Sequence, residues 1–383
     1  MWDAVIAGAG PAGAVAACVL ARSGRRVLLA DATPPGAFKV GEALPGAATR
    51  LLSSLDLPVL QSGPHAAIGG NLCSWGSSQL IADDFMRHPD GAAWRLDRSR
   101  FDADLLAEAI RSGADHCATG VKTVQRRDDN WIVQLENGTV TAARWIVDAS
   151  GRRAAIARRL GAKRRRDASL IALYRVGTPA AGFELNRTVI EAAPHGWWYA
   201  ARLPSGAPIA GFHTRSRHAR TIVSGADWRA ALDRTAHVAR LLKGAMFDRP
   251  LVVLEACGAQ LDRFGGEGWV ACGDAAMSFD PISGQGIFSA LYGGMEAARV
   301  ADAGLRGRSA ALGAYATRLA SIRRLYLARC AGVYRNEGRW AGEPFWQSIN
   351  RELQVSLDQC PLPPMDAPPH PLGGGEPASS TAR

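Results

Sequence analysis

The first thirty-one residues contain two short apolar runs that predict buried strands, with an apolar run of helical length between them. Trp2–Ala7 has no polar residue after Asp3 and is long enough for one buried strand. Ala14–Ala21 predicts a helix that ends near Gly24, and Val27–Ala30 predicts the second strand. Strand, helix and strand in this order predict a βαβ unit at the start of the chain.

The segment that follows is predicted to contain a loop, a helix and several strands. Thr33–Pro45 is rich in proline and glycine and predicts a loop. Asn137-Gly138 marks a two-residue hairpin turn, and Trp145–Ala149 predicts a further buried strand. Arg98–Ser112 predicts an amphipathic helix, because its apolar residues recur at helical spacing: Phe101, Leu105, Leu106 and Ile110.

From Ala168 onward the pattern changes to short strands separated by glycine and proline. Such a meander predicts an antiparallel sheet that forms a second lobe. Two long helices follow, and the tail from Pro361 is rich in Pro, Gly and Ser and predicts disorder. We therefore predict an α/β protein with a discontinuous first domain (residues 1–167 and 251–307), a substrate-domain sheet (168–250), a C-terminal helical region (308–360) and a disordered tail (361–383).

The composition is that of a globular protein with a large core, with 383 residues of which 47% are hydrophobic. No apolar run reaches the roughly 18 residues that a membrane-spanning helix needs. The apolar N-terminus lacks the basic leader of a signal peptide, so we expect a cytoplasmic protein. The seven cysteines are scattered, without a C-x-x-C pair or a Cys/His cluster, which argues against a disulfide framework and a metal site.

The net charge of +10 is concentrated in one short segment. Because the rest of the chain is close to neutral, this charge does not indicate a nucleic-acid-binding protein. The segment has two interpretations: a solvated surface, or a surface that docks a phosphorylated cofactor or an acidic partner. We call it the basic run, and its members are Arg152, Arg153, Arg158, Arg159, Lys163, Arg164, Arg165 and Arg166.

Glycines at G-x-G-x-x-G spacing join the first predicted strand to the first helix. Gly8 permits the tight turn, Gly10 lets the backbone approach a pyrophosphate, and Gly13 lets the helix pack closely on the sheet. Free N–H groups at the start of the helix face the phosphates. Asp31, at the end of the second strand, is placed to accept a hydrogen bond from a ribose hydroxyl. Together these features predict a dinucleotide site.

A second glycine-rich segment, Trp269–Gly294, also has the order strand, loop and helix. The strand leads to Gly273 and Asp274, and a carboxylate at a strand end can hold a ribityl hydroxyl. The Gly284-Gln285-Gly286 backbone begins the long helix, so its N–H groups are placed to stabilise negative charge on a reduced flavin ring. We therefore predict that the dinucleotide is a flavin.

Several motifs resemble those of flavoprotein monooxygenases with the para-hydroxybenzoate hydroxylase fold: GAGPAG at 8–13, LDRSRFD at 96–102, DASG at 148–151, and GDAA and DPISGQG within 273–286. The resemblance implies a Rossmann-type FAD-binding domain, an antiparallel-sheet substrate domain and C-terminal helices. It also implies non-covalent FAD, reduced by NAD(P)H or by a separate flavin reductase. The family usually has serine at the position of Ala154. The implied cofactor-binding residues are Gly8, Gly10, Pro11, Ala12, Gly13, Asp31, Glu42, Arg98, Asp148, Gly151, Gly273, Asp274, Pro281, Gly284, Gln285 and Gly286.

Within that fold, VGEALPG at 40–46, DASGRRAAIARRLG at 148–161 and GWWYAARLP at 196–204 resemble the tryptophan-halogenase branch. Halogenases carry a lysine downstream of the G-E motif that relays hypohalous acid, and a W-x-W-x-I-P motif. This chain has no lysine between Lys39 and Lys122, and Trp197 and Trp198 are adjacent, which disfavours halogenation. YRNEGRWAGEPFW at 334–346 is similar to flavoproteins that mature tryptophylquinone-containing amino-acid oxidases by oxygenating a tryptophan of a partner polypeptide.

The candidate catalytic residues form the predicted substrate face: Glu42, His195, Trp197, Trp198 and Tyr199. For the two tryptophans, a packed sheet strand is an equally good interpretation. The leading hypothesis is an FAD-dependent monooxygenase that hydroxylates an aromatic group, with a tryptophan of a precursor oxidase as the candidate substrate. A halogenase or isoprenoid reductase of the same fold remains an alternative. So does an FAD-containing assembly factor without turnover.

Overall fold

The computed structural model describes residues 1–34, 37, 39–61, 63–222 and 224–360, and the predicted disordered tail, 361–383, lies outside them. The described helices are α1 Pro11–Arg22, α2 Ala47–Ser54, α3 Arg98–Arg111, α4 Ala155–Arg159, α5 Ser216–Ala219, α6 Gly225–Asp233, α7 Val238–Leu241, α8 Gly286–Leu305, α9 Ala310–Arg335 and α10 Pro344–Asp358. The described strands are β1 Trp2–Ala7, β2 Val27–Ala30, β3 Ala43–Leu44, β4 Ala66–Ile68, β5 Gly70–Ser74, β6 Ile81–Asp84, β7 Ala93–Arg95, β8 Asp115–Cys117, β9 Val121–Arg127, β10 Asn130–Leu135, β11 Val140–Asp148, β12 Arg164–Arg166, β13 Ile171–Val176, β14 Thr188–Ala193, β15 Gly196–Arg202, β16 Pro208–Thr214, β17 Val252–Glu255, β18 Ala259–Leu261, β19 Gly265–Gly266, β20 Trp269–Ala271 and β21 Met277–Ser278.

An eight-stranded sheet forms the core of the first domain, in the order β19-β20-β11-β1-β2-β8, with β9 and β10 added to β11. The strands β20, β11, β1, β2 and β8 are parallel, as in a Rossmann-type domain. Helix α1 packs against α8, and a Cβ on Gly294 of α8 would overlap the carbonyl oxygen of Ala12. This close crossing fixes the beginning of α1 against α8.

A seven-stranded sheet forms the second domain, in the order β17-β13-β16-β15-β14-β5-β6. Its neighbouring strands are antiparallel except β5 and β14, which are parallel. Strands β5, β6 and β17 lie outside the predicted range 168–250, so the sheet extends beyond it. The short sequences of β5 and β6, GNLCS and IADD, give little local strand signal, and long-range pairing brings them into the sheet.

The two faces of the second sheet have different neighbours. On one face, Trp198 and Phe212 pack with Trp228 of α6 in a separate hydrophobic core. Trp197 and His213, the next residues along the same strands, lie on the opposite face and line a cavity. Because successive side chains of a strand alternate between faces, one face holds this core and the other is available to a ligand.

The C-terminal helices connect the two domains. Helix α9 packs against α8 and α10, and its Arg323 forms a buried ion pair with Asp167. Trp346 of α10 donates a hydrogen bond of 2.9 Å to the carbonyl oxygen of Ala193 at the end of β14. The predicted fold class, a Rossmann-type domain with a second sheet and C-terminal helices, is confirmed. None of the described helices combines the length and apolar character that a membrane crossing requires.

Candidate active site

A cavity of about 410 Å³ lies between the two sheets and is lined by both domains. Ligand sites commonly have volumes of about 300–1,000 Å³, so the cavity has the size of a binding site. We use the name glycine end for the part lined by Gly10, Arg98, Gly151, Asp274 and Gly286. We use the name aromatic end for the part lined by Ala172, Tyr174, Trp197, Tyr199 and His213.

The three glycines of the first motif have different roles. Gly8 has a φ of +108°, and a Cβ there would overlap the carbonyl oxygen of Ala149. A Cβ on Gly13 would overlap the carbonyl oxygen of Gly8. A Cβ on Gly10, by contrast, would have no atom within 4 Å, and Gly10 lines the cavity. Packing therefore requires Gly8 and Gly13, whereas Gly10 leaves space in which a phosphate group can approach the backbone.

Asp31, at the end of β2, supports this glycine turn. Its carboxylate accepts hydrogen bonds from the backbone N–H groups of Ala9, at 2.6 Å, and Thr33, at 2.7 Å. The residue lies outside the lining of the cavity, next to the turn that Gly8 begins. The ribose contact of Asp31 stays a prediction, and its observed role is to hold the turn.

Asp148 has a different role from the predicted one. It is completely buried, and its carboxylate accepts hydrogen bonds from the backbone N–H groups of Ser150, Ile156 and Ala157 at 3.0, 3.0 and 2.7 Å. Because both oxygens bind these amides, the carboxylate does not reach the cavity, and the predicted cofactor contact is wrong. Asp148 instead fixes the loop that places Gly151, with a φ of +67°, in the cavity wall.

The second glycine segment forms the opposite wall of the glycine end. Gly273 lies against α1, because a Cβ there would approach the Cβ of Ala12 to 2.8 Å. Asp274 lines the cavity, and its Oδ2 lies 3.5 Å from the Nε atom of Arg152. The first intrahelical bond of α8 reaches back to the carbonyl oxygen of Gln285, so the N–H groups at the beginning of the helix are available to a ligand.

These features fit FAD. Four of the five glycines that line the cavity have no atom within 4 Å of an added Cβ, which leaves the backbone open to a ligand: Gly10, Gly151, Gly284 and Gly286. The Oε1 atom of Gln285 is buried without a hydrogen-bond partner among the described residues. The residues placed to hold FAD are therefore Gly10, Pro11, Ala12, Arg98, Gly151, Asp274, Pro281, Gly284, Gln285 and Gly286.

Arg98 holds the loop that precedes Glu42. It donates hydrogen bonds to the carbonyl oxygens of Val40, at 3.1 Å, and Gly41, at 2.6 Å, and it forms an ion pair with Asp102. Asp102 also binds Lys39, at 2.8 Å from the Nζ atom. Arg98 lines the cavity as predicted, and the structure adds that it positions the loop on which Glu42 lies.

Glu42 connects the two ends of the cavity and is 3% exposed. Its Oε1 accepts hydrogen bonds from the Tyr199 hydroxyl and from Nη1 of Arg95 at 3.3 Å. Arg95 is also buried and donates to the Oγ1 atom of Thr188 at 2.8 Å. Burial raises the pKa of Tyr199, which therefore keeps its proton. The sequence analysis did not predict Arg95. The only sequence feature that points to it is an arginine at the end of the short strand β7.

Trp197 belongs to a hydrogen-bonded chain at the aromatic end. Its ring stacks on His213, with centroids 3.6 Å apart, and its Nε1 donates to the hydroxyl of Tyr334 at 3.0 Å. Tyr334 in turn donates to the Oδ2 atom of Asp280 at 2.9 Å, and Tyr174 shares a 2.8 Å hydrogen bond with His213. Burial lowers the pKa of His213 to about 3 and raises the pKa of Asp280 to about 7. We did not predict Tyr174, His213 or Asp280, which lie together only in the folded chain.

Two candidate catalytic residues lie outside the cavity. Trp198 points to the opposite face of β15, where it packs with Phe212. His195 lies in the turn between β14 and β15, with its side chain 54% exposed and close to the ring of His218. Both predicted substrate contacts are therefore wrong, because strand alternation and the turn direct these side chains elsewhere. Trp197, Tyr199 and Glu42 do line the cavity.

The basic run does not form one surface. Arg152 lines the cavity and donates hydrogen bonds to the carbonyl oxygens of Cys257 and Phe279, at 2.7 and 3.0 Å. Arg164 and Arg166 both form ion pairs with Glu255, which also lines the cavity. The other members are exposed: Arg153, Arg158, Arg159, Lys163 and Arg165. The solvated interpretation fits these exposed residues but not Arg152 or Arg164.

In the part of the chain that the structure describes, the cavity is lined by neither a lysine nor a group of side chains that could hold a metal ion. None of the described lining residues is a lysine. The described residues also contain no group of His, Cys, Asp and Glu side chains that could hold a metal ion.

A family model described as tryptophan halogenase matches residues 75–304. The chain belongs to the tryptophan halogenase family. The matched segment includes Arg98, the loop of Gly151, strands β13 to β16 and the glycine segment at the start of α8. The resemblance stated from the sequence motifs is confirmed.

Relatives of the chain include oxidoreductases and halogenases. LodB of Marinomonas mediterranea, named as an FAD-dependent oxidoreductase, is 31% identical over 367 residues, which cover 90% of this chain and 96% of LodB. The flavin-dependent halogenase armH3 of Armillaria mellea is 27% identical and covers 80% of this chain and 68% of its own length. The protein is therefore an FAD-dependent enzyme of this family.

Solved structures give the same fold. The peptidyl tryptophan dihydroxylase QhpG, essential for tryptophylquinone cofactor biogenesis, has a TM-score of 0.69 and 25% identity over 91% of this chain and 78% of QhpG. The myxobacterial chondrochloren halogenase CndH has a TM-score of 0.81 and 23% identity over 91% of this chain and 85% of CndH. Because hydroxylases and halogenases share this fold, the reaction of this chain must be inferred from its site.

We expect Asp274→Ala to weaken FAD binding by about 1.5–3 kcal/mol, because it removes a cavity-lining carboxylate that can accept a hydrogen bond from the cofactor. The measurement is the quenching of flavin fluorescence during titration of the apoprotein with FAD. Asp115→Ala, at an exposed residue of β8, is the matched control and should bind FAD as the parent does. Equal affinity of the Asp274 variant and the parent would exclude this contact.

Proposed function

We propose that the protein is an FAD-dependent monooxygenase that hydroxylates an aromatic side chain, with a tryptophan of a partner polypeptide as the candidate substrate. One observation supports hydroxylation over halogenation: no described residue of the cavity lining is a lysine. The lysine nearest to Glu42 in the sequence is Lys39, and it forms an ion pair with Asp102. A halogenase of this family is expected to use a lysine to relay hypohalous acid, and the described lining of this cavity contains none.

The aromatic end suits an indole ring. Trp197, Tyr199 and Tyr174 provide aromatic walls, and Ile190 adds an apolar side chain. Such walls exclude water and favour edge-to-face contacts with an aromatic substrate. Because burial keeps His213 neutral above about pH 3, the stacked pair of Trp197 and His213 carries no charge at physiological pH.

When bound, FAD supplies the activation of molecular oxygen. The residues of the chain then orient the substrate, exclude water and stabilise charge. The free N–H groups at the beginning of α8 are placed to stabilise negative charge on a reduced cofactor. Glu42 is held by Tyr199 and Arg95, so its position at the junction of the two ends is fixed. Indole is nucleophilic enough to accept electrophilic oxygen without prior deprotonation, so the proposal requires no general base.

One similar structure supports a polypeptide substrate. QhpG, whose structure matches 91% of this chain, is a peptidyl tryptophan dihydroxylase. We propose NAD(P)H or a separate flavin reductase as the source of electrons, and a precursor oxidase as the partner.

One incubation distinguishes oxygen insertion from halogenation. The FAD-loaded enzyme is supplied with NADH, a flavin reductase, ¹⁸O₂, bromide, free tryptophan and a short acidic peptide with one central tryptophan. We expect the peptide to gain labelled oxygen, measured by mass spectrometry, and we expect no brominated indole. Gly10→Val, which we expect to lack FAD, is the control. A brominated product would identify a halogenase, and failure of every donor to reduce bound FAD would favour an assembly factor.

A further inference from the structure

One edge of the second sheet lies beside the cavity. Strand β17 is the last strand of that sheet and pairs only with β13. Leu254 and Glu255, at the end of β17, line the cavity together with Ala256. The free edge of β17 is therefore continuous with the proposed substrate site.

The main-chain groups of this edge are available for pairing. The N–H of Ala256 donates to the carbonyl oxygen of Leu170 at 2.9 Å, which sets the alternation of hydrogen bonds between β17 and β13. Residues 252 and 254 therefore bind β13, whereas the N–H and C=O groups of Val253 and Glu255 point away from it. Among the described residues, these outward groups have no hydrogen-bond partner.

The side chains of this edge are also unusual for a strand that faces solvent. Val253 is 52% exposed and Leu254 is 40% exposed. Proteins usually protect exposed edges with charged residues, and β6, at the other edge of the sheet, ends in Asp83 and Asp84. The one charge of β17, Glu255, is neutralised by Arg164 and Arg166. The edge is therefore apolar, unpaired and bordered by basic side chains.

We propose that β17 binds an extended, acidic segment of the substrate polypeptide as an added strand, and this inference rests on the proposed function. Leu254 pairs in register with Ala172, which pairs with His213, so all three side chains lie on the cavity face of the sheet. Every second side chain of an added strand would lie on that same face. A tryptophan at such a position is directed toward the aromatic end, while the peptide backbone stays at the edge.

The charge at the end of β17 favours an acidic occupant. Arg166 has a side chain that is 64% exposed and lies beside Glu255, and Arg165 on the same strand is exposed. Surface charges of this kind mainly accelerate docking and select partners, and salt screens them over about 8 Å at physiological ionic strength. A segment with acidic residues around its tryptophan would therefore dock fastest at low salt.

The test uses the FAD-loaded enzyme and a fluorescent acidic peptide with one central tryptophan. Val253→Pro removes an outward N–H without removing a bond to β13, and Val253→Thr keeps both the N–H and the β-branched shape. We expect Val253→Pro to weaken binding by about tenfold, the factor that one net hydrogen bond contributes. We expect Val253→Thr to bind as the parent does, and we expect a peptide with N-methylated amides to bind weakly to all three proteins.

Hydrogen exchange provides a second measurement that does not depend on the variant folding. Bound peptide should slow exchange of the Val253 and Glu255 amides in the parent enzyme. Binding without this protection, or equal binding by parent and Val253→Pro, would overturn the proposal. Protection that rises with enzyme concentration in the absence of peptide would assign the edge to a second copy of the chain and would also overturn it.

The same samples separate this proposal from the proposed function. Protection of the two amides without oxygen insertion into the peptide would support docking and contradict hydroxylation. Equal oxygen insertion by the parent and by Val253→Pro would support hydroxylation and contradict docking at β17.

Discussion

Replacing Gly10 by valine is expected to remove FAD from the protein and leave its fold intact. Gly10 has φ and ψ values of −67° and −178°, an extended conformation that β-branched residues adopt without strain. An added Cβ has no atom within 4 Å, so the valine side chain would occupy the space beside the beginning of α1. Because a phosphate group needs that space, affinity for FAD should fall by about a hundredfold or more, or roughly 2.7 kcal/mol.

The matched control is Gly313→Val in α9. A Cβ on Gly313 also has no atom within 4 Å, and the residue lies outside the cavity lining. Flavin content after purification and circular dichroism are the two measurements. We expect Gly10→Val to be colourless with the parent's secondary structure, and Gly313→Val to be yellow. A yellow Gly10→Val protein would show that the phosphates of FAD do not approach this turn.

The glycine end of the cavity was predictable because local rules determine it. Gly8 and Gly13 have backbones packed against other backbones, and only glycine fits there. Gly284, Gln285 and Gly286 precede a long apolar helix whose beginning is visible in the sequence. Each motif is a short segment with its own turn and helix start, so spacing alone locates it.

The aromatic end was predictable only in part. Trp197 and Tyr199 line the cavity, whereas Trp198 between them faces the other core. The alternation was visible in the sequence, but which of the two faces meets the first domain depends on how the sheet docks. Arg95 and Asp280 come from distant segments and reach the aromatic end only through tertiary packing.

The basic run shows the limit of reading charge from sequence. Eight like charges in one segment suggest a surface, but they lie on a loop, a short helix and the strand β12. Arg152 points into the cavity and Arg164 into an ion pair with Glu255, because β12 pairs with β18 rather than extending into solvent. Ion pairs with residues far along the chain cannot be inferred from a count of charges.

Replacing Asp167 by alanine is expected to cause a large loss of stability. Asp167 and Arg323 are 4% exposed each, and a bond of 2.8 Å joins Nη1 of Arg323 to the carboxylate. Asp167→Ala would leave the guanidinium buried without its partner, so we expect the free energy of unfolding to fall by about 3–5 kcal/mol. Urea denaturation followed by circular dichroism measures this loss.

Two comparisons test whether the loss of stability comes from the buried, unpaired charge of Arg323. The double variant Asp167→Leu/Arg323→Met replaces both charges with apolar groups, so it should lose less stability than Asp167→Ala alone. Asp233→Ala breaks an exposed pair with Arg229 on α6 and should cost only about 0.3–0.5 kcal/mol. If the double variant were as unstable as Asp167→Ala, the loss would come from packing between α9 and the first domain and not from the buried charge.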